Sequence, residues 1–141
     1  MAEGIAGRRV ADLGWTGVEV RSAGVGAFPG APPSGGARRV AAAHGLDLSN
    51  HEASLFTAAD ADWADLVLTM SPGHLIRVVD LGAGDRAALL TSFALGDAGQ
   101  RASSSIPDPI GGPDEEYEAT YTLLDELIAR VMERLAPVVA P

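Results

Sequence analysis

The 141 residues carry 19 acidic side chains against 10 basic ones, a formal charge of −9, with 47% hydrophobic and 21% charged content and no cysteine. That length and composition fit one globular domain over 1–141, and the acidic balance excludes nucleic acid as an expected partner, because a phosphate backbone would be repelled. With no thiol in these residues, disulfides, thiolate metal sites and a cysteine nucleophile within them are excluded.

The longest apolar runs are about half of the roughly 20 residues of a membrane span, and the amino end lacks the charged-then-apolar pattern of a secretory signal. A cytoplasmic protein without a membrane partner is expected. Ile5, Val10 and Leu13 recur close to a helical period, with Arg8 and Arg9 between them and Gly14 where a helix stop belongs. This helix has a signalled end but no signalled start. Val18 and Val20 then alternate with Glu19 and Arg21, which predicts a short strand over 18–22 running into a glycine loop. Gly24, Gly26 and Gly30 resemble a dinucleotide fingerprint, but the third glycine is one place late, and Pro32 and Pro33 precede any helix. No nucleotide cofactor is expected.

A helix of about two to three turns follows Ser34 and closes on Gly45. After a polar connection over 47–56, Thr57 and Asp60 have the form of a capping box and start another short helix. It leads into Ala64–Met70, a continuous apolar run that predicts a fully buried parallel strand. Ser71 and Pro72 are an N-cap and a first-turn proline, so 71–82 reads as a helix. A weaker strand is expected over 87–93 and a loop over 96–113. Tyr117, Tyr121, Leu124, Ile128, Val131 and Leu135 then step by fours and threes along one face of a long last helix. Both tyrosines read as packing residues. Pro113 and Asp114, Glu115 and Glu116 suit its positive amino end.

Strands alternating with helices imply a three-layer α/β fold, a parallel twisted sheet with helices on both faces. Ligands in such folds bind beyond the carboxyl ends of the strands. Two loops should meet there, the one after Ser22-Ala23-Gly24 and the one carrying Ile106-Pro107-Asp108-Pro109.

MAEGIA, VRSAGVGAFPG, GLDLSNHEAS, ADLVLTM and IPDPIGGPDEEYEAT occur in the order and at about the spacing of the low-molecular-weight protein tyrosine phosphatases, a family that includes bacterial protein arginine phosphatases. The resemblance covers essentially the whole chain. It implies a phosphotyrosine protein phosphatase I-like fold and hydrolysis of a phosphorylated protein or small aryl phosphate through a covalent phosphocysteine, without a metal or other cofactor. In the family a first strand and a phosphate-binding loop of the form Cys-x5-Arg-Ser-Pro precede the segment matching Met1-Ala2-Glu3. The resemblance therefore implies a chain truncated at its amino end, or an internal methionine taken as a start, that lacks its first central strand. That strand lies, in the family, between those matching 18–22 and 66–70. Buried backbone groups left unpaired there, at roughly 1–3 kcal/mol each, would rival a domain's stability of about 5–15 kcal/mol, unless the two strands close on each other.

By the same resemblance Asp108 is the general acid that protonates the leaving group and later activates water, a task favoured by burial of the carboxyl. From its loop alone, Asp108 reads as a turn aspartate accepting backbone N–H groups. Ser22 and His51 match positions that brace the phosphate loop. Ile110 and Phe28 match or adjoin positions of the substrate-binding wall, where relatives carry aromatic residues. The departure at Ile110 leaves tyrosine versus arginine specificity open, and the sequence as a whole leaves the oligomeric state open. His44, His51 and His74 form no metal-ligand spacing. An arsenate reductase of the same fold needs several cysteines, which are absent. The rival reading is a non-catalytic binding module that acts through its surface.

Overall fold

Local signals set most of the helices. The structure is a computed structural model that describes residues 1–96 and 105–139. Helix α1 (Ala2–Asp12) buries Ile5 and Val10, and Gly14, at φ 71°, ends it by letting Trp15 N–H reach Val10 O at 3.1 Å. Helix α2 (Gly35–Ala43) closes the same way, Leu46 N–H donating to Ala41 O at 2.8 Å past Gly45. In α3 (Ala58–Trp63) both halves of the capping box form: Thr57 N–H donates to Asp60 Oδ2 at 2.8 Å and Asp60 N–H to Thr57 Oγ1 at 3.4 Å. Ser71 caps α4 (Pro72–Val78) by accepting His74 N–H at 3.3 Å. The helix expected to run to Gly82 instead loosens over Val79–Ala83, where Gly82 takes φ 114°.

Strands β1 (Val67–Thr69) and β2 (Ala87–Leu89) form a parallel ladder with Val67 opposite Ala87 and Thr69 opposite Leu89. Alternate side chains feed two apolar clusters on opposite faces. Val67 and Ala87 pack with Ala61, Val78 and Ala83 on one side, while Leu68 and Met70 pack on the other with the main core of α1, α2, α5 (Leu90–Leu95) and α6 (Asp114–Val139). Helices thus cover both faces of a parallel sheet, the three-layer α/β architecture. Along α6, Tyr117, Tyr121, Leu124, Ile128 and Val131 are buried as their spacing implied. Leu135 only borders the core.

Three expectations need correction. The strand over 18–22 does not form a ladder among the described residues. Val18 and Val20 do face the main core and Glu19 and Arg21 do face out, but a strand also needs a neighbour, and the main chain of 18–21 has none among those residues. Its continuation makes one parallel bridge, Gly24 with Leu55. Nor do 18–22 and β1 close on each other. The exposed or half-buried setting of 18–22 leaves the polar backbone of that segment open to water, so the penalty of buried unpaired groups is avoided there. The strand over 87–93 stops at Leu89, because Leu90, Thr91 and Ala94 are buried at helical spacing and continue as α5 against α6. Val67 and Leu68 are half-buried rather than fully buried, as one covered edge allows. Of the loop expected over 96–113, residues 97–104 lie outside those described. Its later part hangs from β1, Ile106 N–H donating to Met70 O at 2.8 Å.

Candidate functional site

Glu3, in the first turn of α1, gathers two of the expected site residues. Its Oε1 accepts Ser22 N–H at 3.1 Å and its Oε2 lies 2.8 Å from His51 Nδ1. The carboxylate suits the positive end of a helix and favours the imidazole tautomer with its proton on Nδ1. Ser54 tightens the junction, its hydroxyl donating to Ser22 O at 3.0 Å and its carbonyl accepting Gly24 N–H at 2.9 Å. His51 is held at its main chain too, donating to Leu48 O at 3.0 Å. Three segments far apart in sequence thereby enclose an open hollow lined by Glu3, Ser22, Asp47, Asn50, His51 and Ser54. Sequence reasoning missed Glu3. A lone acidic residue in a first helical turn is common, and nothing local announces partners 19 and 48 residues away.

The arginine at the hollow is already engaged. Arg21 reaches its rim, but the guanidinium is taken up by Glu19 Oε1 at 3.0 Å and stacks on the Trp63 ring, 3.8 Å from the centroid. A phosphate needs converging N–H groups and a bidentate arginine.

Asp108 lies on the loop that Ile106 ties to the carboxyl end of β1. It is exposed, not buried, and its Oδ1 accepts Ile110 N–H at 3.1 Å, the hydrogen bond expected of a turn aspartate. Gly111, at φ 80°, and Gly112 N–H on Pro109 O at 2.8 Å complete the turn. Phe28 and Ile110 are 84% and 72% exposed, so neither forms a packed wall, and no described hydrogen bond joins Asp108 to the Glu3 cluster. Among the described residues no group of three or more His, Cys, Asp or Glu could hold a metal ion, and no helix is long and apolar enough to cross a membrane.

The family model described as low molecular weight phosphotyrosine protein phosphatase matches residues 1–139. A protein-arginine-phosphatase of Geobacillus stearothermophilus is 38% identical over 121 residues, covering 84% of this chain and 78% of that protein. The low molecular weight protein-tyrosine-phosphatase Wzb of Salmonella typhi is 36% identical over 106 residues, covering 75% and 68%. Among solved structures, the YwlE arginine phosphatase from Geobacillus stearothermophilus superposes with a TM-score of 0.83 at 33% identity, over 97% of this chain and 84% of that one. A low molecular weight protein tyrosine phosphatase from T. tengcongensis reaches 0.85 at 33% identity, over 95% and 88%.

Proposed function

The chain belongs to the low molecular weight phosphotyrosine protein phosphatase family, and from that premise we propose that it forms the acid-bearing part of a cytoplasmic phosphoprotein phosphatase site. The substrate is a protein phosphotyrosine or phosphoarginine. In the proposed route a thiolate attacks phosphorus, the bond to the leaving group breaks, and Asp108 gives that group its proton. Water, deprotonated by Asp108, then attacks the phosphocysteine and releases phosphate and thiolate. Ser22 and His51, bridged by Glu3, support the loop that carries the thiolate, and Phe28 and Ile110 flank the substrate. The observation carrying this reading is the meeting of Glu3, Ser22 and His51 around a hollow, in a fold whose Asp108 loop hangs from the carboxyl end of β1.

The 141 residues contain no thiol, so on this reading they do not turn over by themselves. Loss of the covalent nucleophile costs about a million-fold in another hydrolase class. The test compares the chain as given with a gene product extended upstream through any in-frame Cys-x5-Arg, on an aryl phosphate and on phosphoarginine. Activity is expected only in the longer form, reduced about a hundred- to ten-thousand-fold by Asp108→Asn. Turnover by the 141 residues alone would refute the thiolate route. Inactivity of both forms would favour the second reading, a binding module without catalysis, which the missing cysteine also suits.

A further inference from the structure

Ser22 is aimed by a segment that lacks the usual means of being held. Residues 18–21 make no main-chain hydrogen bond among the described residues, so no ladder fixes how this extended stretch is rolled about its own axis. Roll matters here. Successive residues of extended chain point to opposite sides, and a small rotation swings Ser22 N–H away from the Glu3 carboxylate. Ser54 ties the main chain only from Ser22 onward, at Ser22 O and Gly24 N–H, so 18–21 itself is left with two side-chain handles. Val18 and Val20 enter the main core on one side, and on the other the Arg21 guanidinium lies 3.8 Å over the Trp63 ring at the end of α3, in the opposite layer. Glu19 holds that guanidinium from the side, Oε1 lying 3.0 Å from Nη2 and 3.3 Å from Nε, an arrangement suited to a planar fork on an aromatic face.

We infer that the Arg21–Trp63 stack is a positioning device: it clamps the extended segment between two layers and thereby orients Ser22 toward Glu3 and, through Glu3, His51. Arg21 and Trp63 are positioning residues, with no contact to reacting atoms asserted. The inference rests on the proposed function only for the value of a well-aimed Ser22. The geometry itself can be tested without activity.

The experiment measures amide hydrogen exchange by NMR on the 141-residue chain and its variants Trp63→Leu, Trp63→Phe, Arg21→Ala and Arg21→Lys. Losing an exposed cation–π contact should speed exchange of the Ser22 amide about two- to fivefold in Trp63→Leu and Arg21→Ala. The His51 ring resonances should move with it, while the amide of Leu127, deep in α6, keeps its wild-type rate. Trp63→Phe, which keeps a face for the guanidinium, restores Ser22 protection, and Arg21→Lys, which keeps only the charge, restores less. An unchanged Ser22 amide in Trp63→Leu and Arg21→Ala overturns the inference. So does equal acceleration at Ser22 and Leu127, which would mean a contact that stabilises the whole fold without aiming anything. If Ser22 responds as expected while the upstream-extended protein proves inactive on both phosphate substrates, the clamp stands and the phosphatase reading falls.

Discussion

Gly36 and Tyr117 show how closely two helices can be specified by one hydrogen atom. The Tyr117 ring lies directly on the Gly36 Cα, where a Cβ would meet Tyr117 Cε2 and Cδ2 well inside contact distance, and its hydroxyl accepts from Ser34 Oγ at 3.0 Å. Tyr117 is 5% exposed and has little room to retreat. Gly36→Ala should therefore destabilise the fold by about 1–3 kcal/mol despite the better helix propensity of alanine, read as a lowered urea midpoint. A more stable alanine variant would mean that α2 and α6 are further apart than described. Glu3 is the second residue whose loss should reach beyond itself. Glu3→Ala leaves Ser22 N–H and His51 Nδ1 without their shared partner and should cost roughly 1–2 kcal/mol, whereas Glu3→Gln, which keeps an acceptor but no charge, should cost less. Equal midpoints for the two variants would show that the neutral acceptor kept by glutamine contributes nothing and that the whole effect lies in the charge.

The short helices depend on their ends. Six-residue α3 has one buried side chain, Ala61, so its reciprocal cap is a large share of what holds it, and Thr57→Ala should cost about 0.5–2 kcal/mol in a denaturant titration. The same change should loosen Trp63, at the other end of this helix, and raise the polarity sensed by its fluorescence. An unaltered midpoint would show the cap to be idle. Caps of this kind were legible in the sequence because Thr57 and Asp60, Ser71 and Pro72, and Gly14 and Gly45 act within a few residues of themselves. What failed to read through was whatever needs a distant partner. Val18 to Ser22 has the alternation of a strand and shows it in burial, yet pairing is decided by a neighbour that the pattern does not contain. Leu90 and Thr91 look like strand residues, but α6 supplies a surface that rewards helical spacing. Of the candidate site, Ser22 and His51 come together through Glu3, which has no local signature. Asp108 adopts the turn its own neighbours dictate, so the catalytic role proposed for it was legible only through the family resemblance.

At the scale of the whole molecule, the titrations point to greatest stability on the alkaline side of neutrality. The Met1 amino group begins α1, and burial there pushes its pKa below the ordinary 8.0, outweighing the opposite effect of Glu3. The folded state thus holds this proton less tightly than the unfolded state. Between the lowered folded value and 8.0 the unfolded chain binds more protons, so stability rises with pH across that window and levels off above it. At the acid end, Asp114, hydrogen-bonded to Arg39, and Asp47, hydrogen-bonded to Ser49, are both held below 3.8. A lowered carboxyl contributes stability that is present above its unfolded value and is lost as pH falls through the folded one. Both carboxylates face solvent, so this limb is shallow. Tyr121, which burial pushes above its ordinary 10.0, stays neutral throughout the neutral window. Urea midpoints should therefore climb as pH rises through the window below 8.0 and level off above it. Acetylating the amino group should remove that climb while leaving the loss of stability at acid pH, because the carboxylates are untouched. A climb of the same size in the acetylated chain would show that the buried amine is not its source.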